Sequence, residues 1–249
     1  MSALPVAVHL GPLTFHLYGL GLALAAYVAF EYAERRLTRA GYEVRHFGRY
    51  VAALLLAGLV GARVANVATN WSYYRGHVGS WFAVWQGGLA SFGGIAFAIP
   101  VALWLRRRWW PTASALAFAD VVLPAIVAGW ALGRVLGPQF MVDGGGHLTH
   151  QWFGMHYHGQ VGKRVPVPLI QGAEDALLWI ALCRLERRHP RVGTVTGVAL
   201  TVWGVVRAAD ERWLLGQQSH SGSVGVQLAG LAMALAGVVI WLRSRSAEA

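Results

Sequence analysis

Seven stretches of this chain are apolar over about the 20 residues that a helix needs to cross a hydrocarbon layer, and this limits what it can fold into. They fall at roughly 12–33, 50–69, 88–105, 114–136, 168–185, 193–214 and 222–242. Inside lipid, backbone N–H and C=O groups must pair within the segment, so such runs read as helices. The expected fold is all-α: one polytopic domain over residues 1–249 with seven transmembrane helices. Composition agrees, with 56% hydrophobic and only 13% charged residues against about 25% charged in soluble domains. The connections are short except for 137–167, which is rich in Gly and His and reads as an extramembrane cap. The start, MSALPVAVHLGPLTFHLYGL, has no Lys or Arg ahead of its apolar run, so it reads as a permanent helix and not a cleaved signal. The single cysteine, Cys183, excludes an internal disulfide.

Basic residues set the orientation. Arg35, Arg36, Arg39, Arg45 and Arg49, then Arg106 to Arg108, then Arg184, Arg187, Arg188 and Arg191, and finally Arg243 and Arg245 occupy alternate connections. These hold 14 basic residues, whereas the opposite connections hold only Arg75, Lys163, Arg164 and Arg212. The expected topology is therefore N-terminus out and C-terminus in. The formal charge of +10 is then largely topological and does not indicate a nucleic-acid partner.

Three of the 21 basic residues remain: Arg63, Arg134 and Arg207. An arginine at mid-bilayer costs roughly 2.5–3.5 kcal/mol on insertion scales, and such residues mark pathways or sites. At 1.5 Å per residue, Arg63 lies about 20 Å, Arg207 about 21 Å and Arg134 about 30 Å from the inner surface. All three fall in the outer half, level with Glu174 and Asp175. Arg207, Asp210 and Glu211 are spaced i, i+3, i+4 and share one helix face. Two readings stand. The arginines form structural ion pairs, such as Arg207 with Glu211, or they line a positive pocket that takes a phosphate or phosphodiester from the outer leaflet.

WQGGLASFGG (85–94) lies at the same level. Its glycines, Gly93 and Gly94 among them, allow backbone N–H groups to approach an anion and equally allow close helix packing. Tyr18, near the outer end of the first run, fits an interfacial aromatic belt as well as a site.

Taken in order, these segments resemble the prolipoprotein diacylglyceryl transferases of bacterial inner membranes. HLYGLGLALA (16–25) is similar to the family's first-helix motif. VGARVANV (60–67) is similar to its glycine-arginine segment, and VWQGGLASFGG (84–94) to its tryptophan-glycine-glycine loop. DVVLPAIVAGWALGRVLG (120–137) resembles the family signature ending in Gly-Arg. Gln171 and Glu174 match a Gln-x-x-Glu, and WGVVRAADE (203–211) matches a Tyr-Gly-x-x-Arg followed four residues later by Glu.

The resemblance implies an enzyme that moves the diacylglyceryl group of phosphatidylglycerol onto the lipobox cysteine thiol in the signal peptide of a prolipoprotein. A thioether forms and glycerol-1-phosphate leaves. It implies seven helices, an active site facing the outer leaflet of the inner membrane, and no metal or cofactor. Arg134, Arg207 and Tyr18 take the catalytic places. Arg63, Gly93, Gly94, Gln171, Glu174, Trp203 and Glu211 take the substrate-binding ones. The chain departs from the family pattern at Phe92, where a histidine is usual, at Gly137, where an asparagine is usual, and at Trp203, where a tyrosine is usual.

Phe92 cannot accept a proton, so the base lies elsewhere or the chemistry is altered. His147, His150, His156 and His158 crowd the cap, where one is placed to serve. Their spacing is not a trusted zinc motif, and the cap lacks cysteine. Two further readings compete with an active transferase. One is a homologue that binds an anionic phospholipid and has lost its chemistry. The other is a small transporter or channel, which would spread charge through both leaflets, whereas only Asp120 lies toward the inner half.

Overall fold

The computed structural model describes residues 4–10, 13–83, 90–211 and 220–246. It is mostly helical. Among the described residues seven long helices overlap the apolar runs: α1 (Leu17–Arg39), α2 (Phe47–Thr69), α4 (Ser91–Trp109), α5 (Ala115–Leu136), α6 (Val167–Glu186), α7 (Thr194–Asp210) and α8 (His220–Ser246). A one-turn α3 (Trp71–Tyr74) follows α2. Three helical segments, Phe47–Thr69, Ala115–Phe140 and Val224–Ser246, are long and apolar enough to cross a membrane by length and composition.

The first run departs from the all-α expectation. Residues Ala7–Leu10 (β1) and Leu13–His16 (β2) pair as an antiparallel hairpin, with Ala7 opposite His16 and Val8 opposite Phe15. Val6, Val8 and Leu10 alternate with other residues, and Gly11-Pro12 is a turn signal. A hydropathy window averages over that alternation and reads it as helix. The helix itself starts at Leu17 and continues to Arg39, past the charged residues that ended the apolar run.

The chain forms two compact units, residues 1–36 with 116–249, and residues 37–115. In the first, Val127 of α5, Leu178 and Leu182 of α6, and Val195 and Ala199 of α7 make a buried core. Glycines bring the flanking helices in. A Cβ on Gly204 would sit 2.4 Å from the Gly230 carbonyl oxygen, and one on Gly197 would sit 2.9 Å from that of Gly237. The two seven-residue glycine spacings thus zip α7 to α8 backbone to backbone, as small residues do where lipid gives no hydrophobic drive. Arg36 of α1 makes a two-pronged ion pair with Glu186 of α6 and donates from Nε to the Val121 carbonyl at 2.6 Å.

Asp120, the acid expected near the inner surface, is structural. Its carboxylate accepts from the backbone N–H groups of Gly193 at 2.6 Å and Thr196 at 2.7 Å, and from the Thr196 hydroxyl. A side chain of α5 therefore caps the start of α7, whose own N-cap is Gly193 in the left-handed region (φ 91°) and offers no side-chain oxygen. Orphan N–H groups at a helix start need such an acceptor. Asp120→Ala is expected to lower stability by about 2–3 kcal/mol, with Asp120→Asn intermediate. Thermal melting in detergent checks this, and a loss below 0.5 kcal/mol for the alanine variant, on the same scale of estimate, refutes the cap.

In the second unit, α2 and α4 cross at glycines. A Cβ on Gly93 would meet the Gly61 carbonyl oxygen at 2.3 Å and Ala65 Cβ at 2.2 Å, and one on Gly94 would meet the Gly58 carbonyl at 3.0 Å.

Candidate functional site

Polar groups from three helices of the first unit gather into one cluster. On α7, Trp203, Arg207, Asp210 and Glu211 fall at i, i+4, i+7 and i+8, a single helix face. On α6, Gln171, Glu174 and Asp175 fall at i, i+3 and i+4. On α5, Trp130 and Arg134 fall at i and i+4, and Arg134 occupies the last turn, where the helix dipole favours a cation. Two local features set this register. Val167 and Pro168 open α6, with Pro at a position that needs no N–H. Gly172 then lets α6 press against α5 beside the arginine: a Cβ there would lie 2.6 Å from Val135 Cγ2 and 3.6 Å from Arg134 Cβ.

Asp210 is the hinge of the cluster. It is 4% exposed. Its Oδ2 accepts from Gln171 Nε2 at 2.9 Å and lies 3.6 Å from Arg207 Nη1. That second distance makes an ion pair but is too long for a hydrogen bond. Arg207 Nη1 is consequently buried with no hydrogen-bond acceptor, as is Trp203 Nε1, while Glu174 Oε2 and Glu211 Oε1 are buried with no hydrogen-bond donor. Buried polar atoms are ordinarily satisfied, and only two other side-chain atoms among the described residues, on His46 and Arg106, share this condition. Four such atoms fall in this one cluster, where Glu174 also faces Asp210 and the Trp203 indole faces Asp175.

Around Arg134 stand Arg207, Asp175, Asp210 and Tyr18. The guanidinium lies over the Trp130 ring at 5.5 Å, and Trp130 meets Trp203 edge-on with centroids 5.6 Å apart. An indole thus precedes each arginine by four residues, and the two indoles pack on each other. A planar cation on an aromatic face is held without loss of its charge. Tyr18 sits in the first turn of α1 and is exposed.

The sequence-predicted residues divide as follows. Arg134, Arg207, Tyr18, Gln171, Glu174, Trp203 and Glu211 belong to the first unit and are placed as above. Gln171 spends its amide on Asp210 and so positions that acid. Gly93 and Gly94 belong to the second unit. Their N–H groups bond the Ala90 carbonyl at 3.0 and 3.3 Å, and their missing side chains admit α2, which is the packing role. Arg63, also of the second unit and 6% exposed, holds backbone carbonyls of the 78–82 turn. Residues 84–89 and the Phe92 side chain lie outside the described residues. Asp210 and Trp130 were not among the expected site residues. Both carried a signal, Asp210 three positions after Arg207 and Trp130 four before Arg134. Gly137 has a steric reason, since a Cβ there would lie 2.8 Å from Leu22 Cδ2 and from the Gly133 carbonyl.

The cap over 137–166 folds on its own polar core. Tyr157 is buried and donates to Gln139 Oε1 at 2.8 Å, and burial pushes its phenol up to about 12, so it stays a neutral donor. Gln160 pairs both ways with the Gly145 backbone. His147, His150 and His158 are exposed and His156 is half-buried. Among the described residues no group of three or more His, Cys, Asp or Glu side chains is placed to hold a metal ion.

A family model for prolipoprotein diacylglyceryl transferase matches residues 5–243 of the chain. The phosphatidylglycerol–prolipoprotein diacylglyceryl transferase of Cupriavidus necator is 32% identical, over 97% of this chain and 93% of its own. The protein of the same description from Methylibium petroleiphilum is 31% identical over 96% and 95%. That from Cutibacterium acnes is 37% identical over 52% and 44%.

Proposed function

The chain belongs to the prolipoprotein diacylglyceryl transferase family, and from that premise we propose how its residues carry the family's reaction. The reaction is the transfer of a diacylglyceryl group from phosphatidylglycerol to a prolipoprotein. The observation that carries the reading is the pairing of Arg134 with Arg207 in a buried cluster where a guanidinium donor is unspent. A phosphodiester supplies what that donor lacks, because a planar fork of N–H groups matches its oxygens. The unspent acceptors, Glu174 Oε2 and Glu211 Oε1, suit the hydroxyls of the glycerol head group. Trp203 Nε1 offers one further donor.

In the chemical step the acceptor cysteine thiolate attacks the glyceryl carbon that bears the phosphate. An S–C bond forms, the C–O bond to phosphate breaks, and glycerol-1-phosphate leaves with the electron pair. The negative charge that began on sulfur ends on the phosphate, so both ends of the reaction coordinate favour fixed cations. Arg134 and Arg207 stabilise the leaving phosphate, and the same field lowers the thiol from its ordinary value of about 8.5. With Phe92 at the usual histidine position, no imidazole on α4 takes the thiol proton, which passes to water, a cap histidine or the lipid phosphate. The chain is read as one seven-span domain in a bacterial inner membrane, N-terminus out, with the site open to the outer leaflet.

Incubation of purified protein with radiolabelled phosphatidylglycerol and a lipobox peptide tests the reaction. Label is expected on the peptide, and none on a Cys→Ser peptide. A protein that retains phosphatidylglycerol but transfers none of it is a binding homologue instead. For topology, cysteines at Gly76 or Gly159 in a Cys183→Ala background are expected to react with an impermeant thiol reagent in intact cells, and one at Arg188 is not. The reverse pattern overturns the outer-leaflet site.

A further inference from the structure

Helices α5 and α7 run parallel and in step through the first unit. Asp120 meets Gly193, Trp130 meets Trp203, and Arg134 stands beside Arg207, each pair separated by the same 73 positions. Contacts at one offset, spread over about four turns of helix, define a single register. At 1.5 Å per residue each arginine lies about 6 Å beyond its indole, so a register pinned at the indoles sets the two arginines at one height. The two cations are held by different means. Arg207 has a carboxylate, Asp210, at 3.6 Å. Side chains on a helix lean toward its N-terminus, and that direction takes Arg134 back over Trp130, whose ring centre lies 5.5 Å from the guanidinium carbon. The ring is met edge-on by Trp203, with centroids 5.6 Å apart and planes at 85°. Trp203 packs in turn on the buried core of Val127, Leu178, Leu182, Val195 and Ala199. The pair is therefore rooted in the fold at its Trp203 end, where the chain departs from the family's tyrosine.

Packing alone does not account for Trp130. It is 47% exposed, and leucine would serve as well against lipid, whose tails are equally apolar. What leucine lacks is a face for a cation. A ring takes a guanidinium by its flat side and leaves the in-plane N–H groups for a phosphate. The contact also opposes the repulsion between two arginines that stand together before any anion arrives. We propose that Trp130 is a positioning residue of the transfer reaction. With Trp203 it orients Arg134 and locks it level with Arg207, so that the two guanidinium groups meet the phosphate as one preset pair. This rests on the diacylglyceryl transfer proposed above and adds to it a residue that acts through Arg134.

The experiment uses the full-length protein in lipid nanodiscs, with its arginines isotopically labelled for NMR. The Nε–Hε signal of Arg134, assigned by its loss in Arg134→Lys, is followed beside transfer to a lipobox peptide. In the parent that signal is expected to be displaced by the ring current of Trp130. In Trp130→Leu it is expected to return among the unstacked arginines. In that variant kcat falls by about tenfold or more, the scale of a guanidinium displaced by less than 1 Å. KM for phosphatidylglycerol stays within about twofold, because the charge that attracts the lipid remains. Trp130→Phe restores a ring face and is expected to recover most of both readouts. Trp203→Leu, on another helix, is expected to move the Arg134 signal as well, and the double leucine variant to lose far less than the product of the single losses. An indole that served the fold alone would lower the melting temperature and leave the Arg134 signal and the ratio of kcat to KM effects unmoved. Trp130→Met takes the place of the leucine variant if that one does not fold. An Arg134 signal unmoved by the loss of Trp130, a kcat within about twofold of the parent, or a phenylalanine variant no better than leucine overturns the proposal. If the parent itself transfers nothing, the transferase reading fails and the Arg134 signal alone decides whether Trp130 orients it. An active parent whose Arg134 signal ignores Trp130 overturns this proposal alone.

Discussion

Arg207→Lys and Arg134→Lys are each expected to lower diacylglyceryl transfer by about 100-fold or more at equal expression, the effect of removing one preorganised donor from a developing anion. Lysine keeps the charge. It loses the planar fork, and with it the geometry set by the ring and carboxylate around each guanidinium. Arg134 lies over Trp130 at 5.5 Å, a stacking that an ammonium makes with less contact area. Arg207 sits 3.6 Å from Asp210, whereas a flexible lysine tip would close directly on that carboxylate and turn from the phosphate. The loss should fall on kcat more than on KM, because charge alone still attracts the lipid while the leaving phosphate is no longer gripped in two places. The measurement is transfer from labelled phosphatidylglycerol at several lipid concentrations. If either lysine variant turns over within about threefold of the parent, well short of what a lost donor costs, bidentate stabilisation by that arginine is wrong.

Much of this site was legible because lipid makes charge conspicuous. In a soluble chain Arg134 and Arg207 would be two among many surface arginines. Here they stand out against apolar runs, and helical spacing alone put Arg207, Asp210 and Glu211 on one face. Spacing did not say which acid the arginine would meet. The ion-pair reading took Glu211, four residues on, whereas the pair is with Asp210 at i+3, and Gln171 of α6 fixes Asp210 from the other side. That choice depends on how α6 and α7 pack, which a single helix does not encode. The hairpin at 7–16 was hidden for a different reason: strand alternation and helical apolarity give the same average hydropathy over a window. Asp120 was the one charge toward the inner half, too little for a pathway through both leaflets. The structure spends it on the start of α7, a contact 73 residues away in sequence.

The role assigned to Asp210 has a consequence that separates positioning from simple charge. Asp210→Ala removes the acceptor of Gln171 and the ion-pair partner of Arg207 together. If Asp210 mattered only as a negative charge near an anion site, its removal would raise affinity for phosphatidylglycerol and leave turnover intact or faster. If it orients the guanidinium, turnover falls, because a displacement of about 1 Å in a reacting group is enough for a loss on the order of 100-fold. The expected result combines the two: kcat down by about 30- to 100-fold, with KM unchanged or lower. Asp210→Asn keeps an oxygen for Gln171 but not the charge that holds Arg207, so it is expected to fall between the parent and the alanine variant. Gln171→Ala should reproduce part of the kcat loss through the same acid without touching the arginine. A thermal melt accompanies each variant, because the alanine change leaves a buried guanidinium and a buried amide less satisfied, at a cost of about 1–3 kcal/mol. A folded Asp210→Ala protein with parental kcat shows that Arg207 finds its place without this carboxylate, and the positioning role is then wrong.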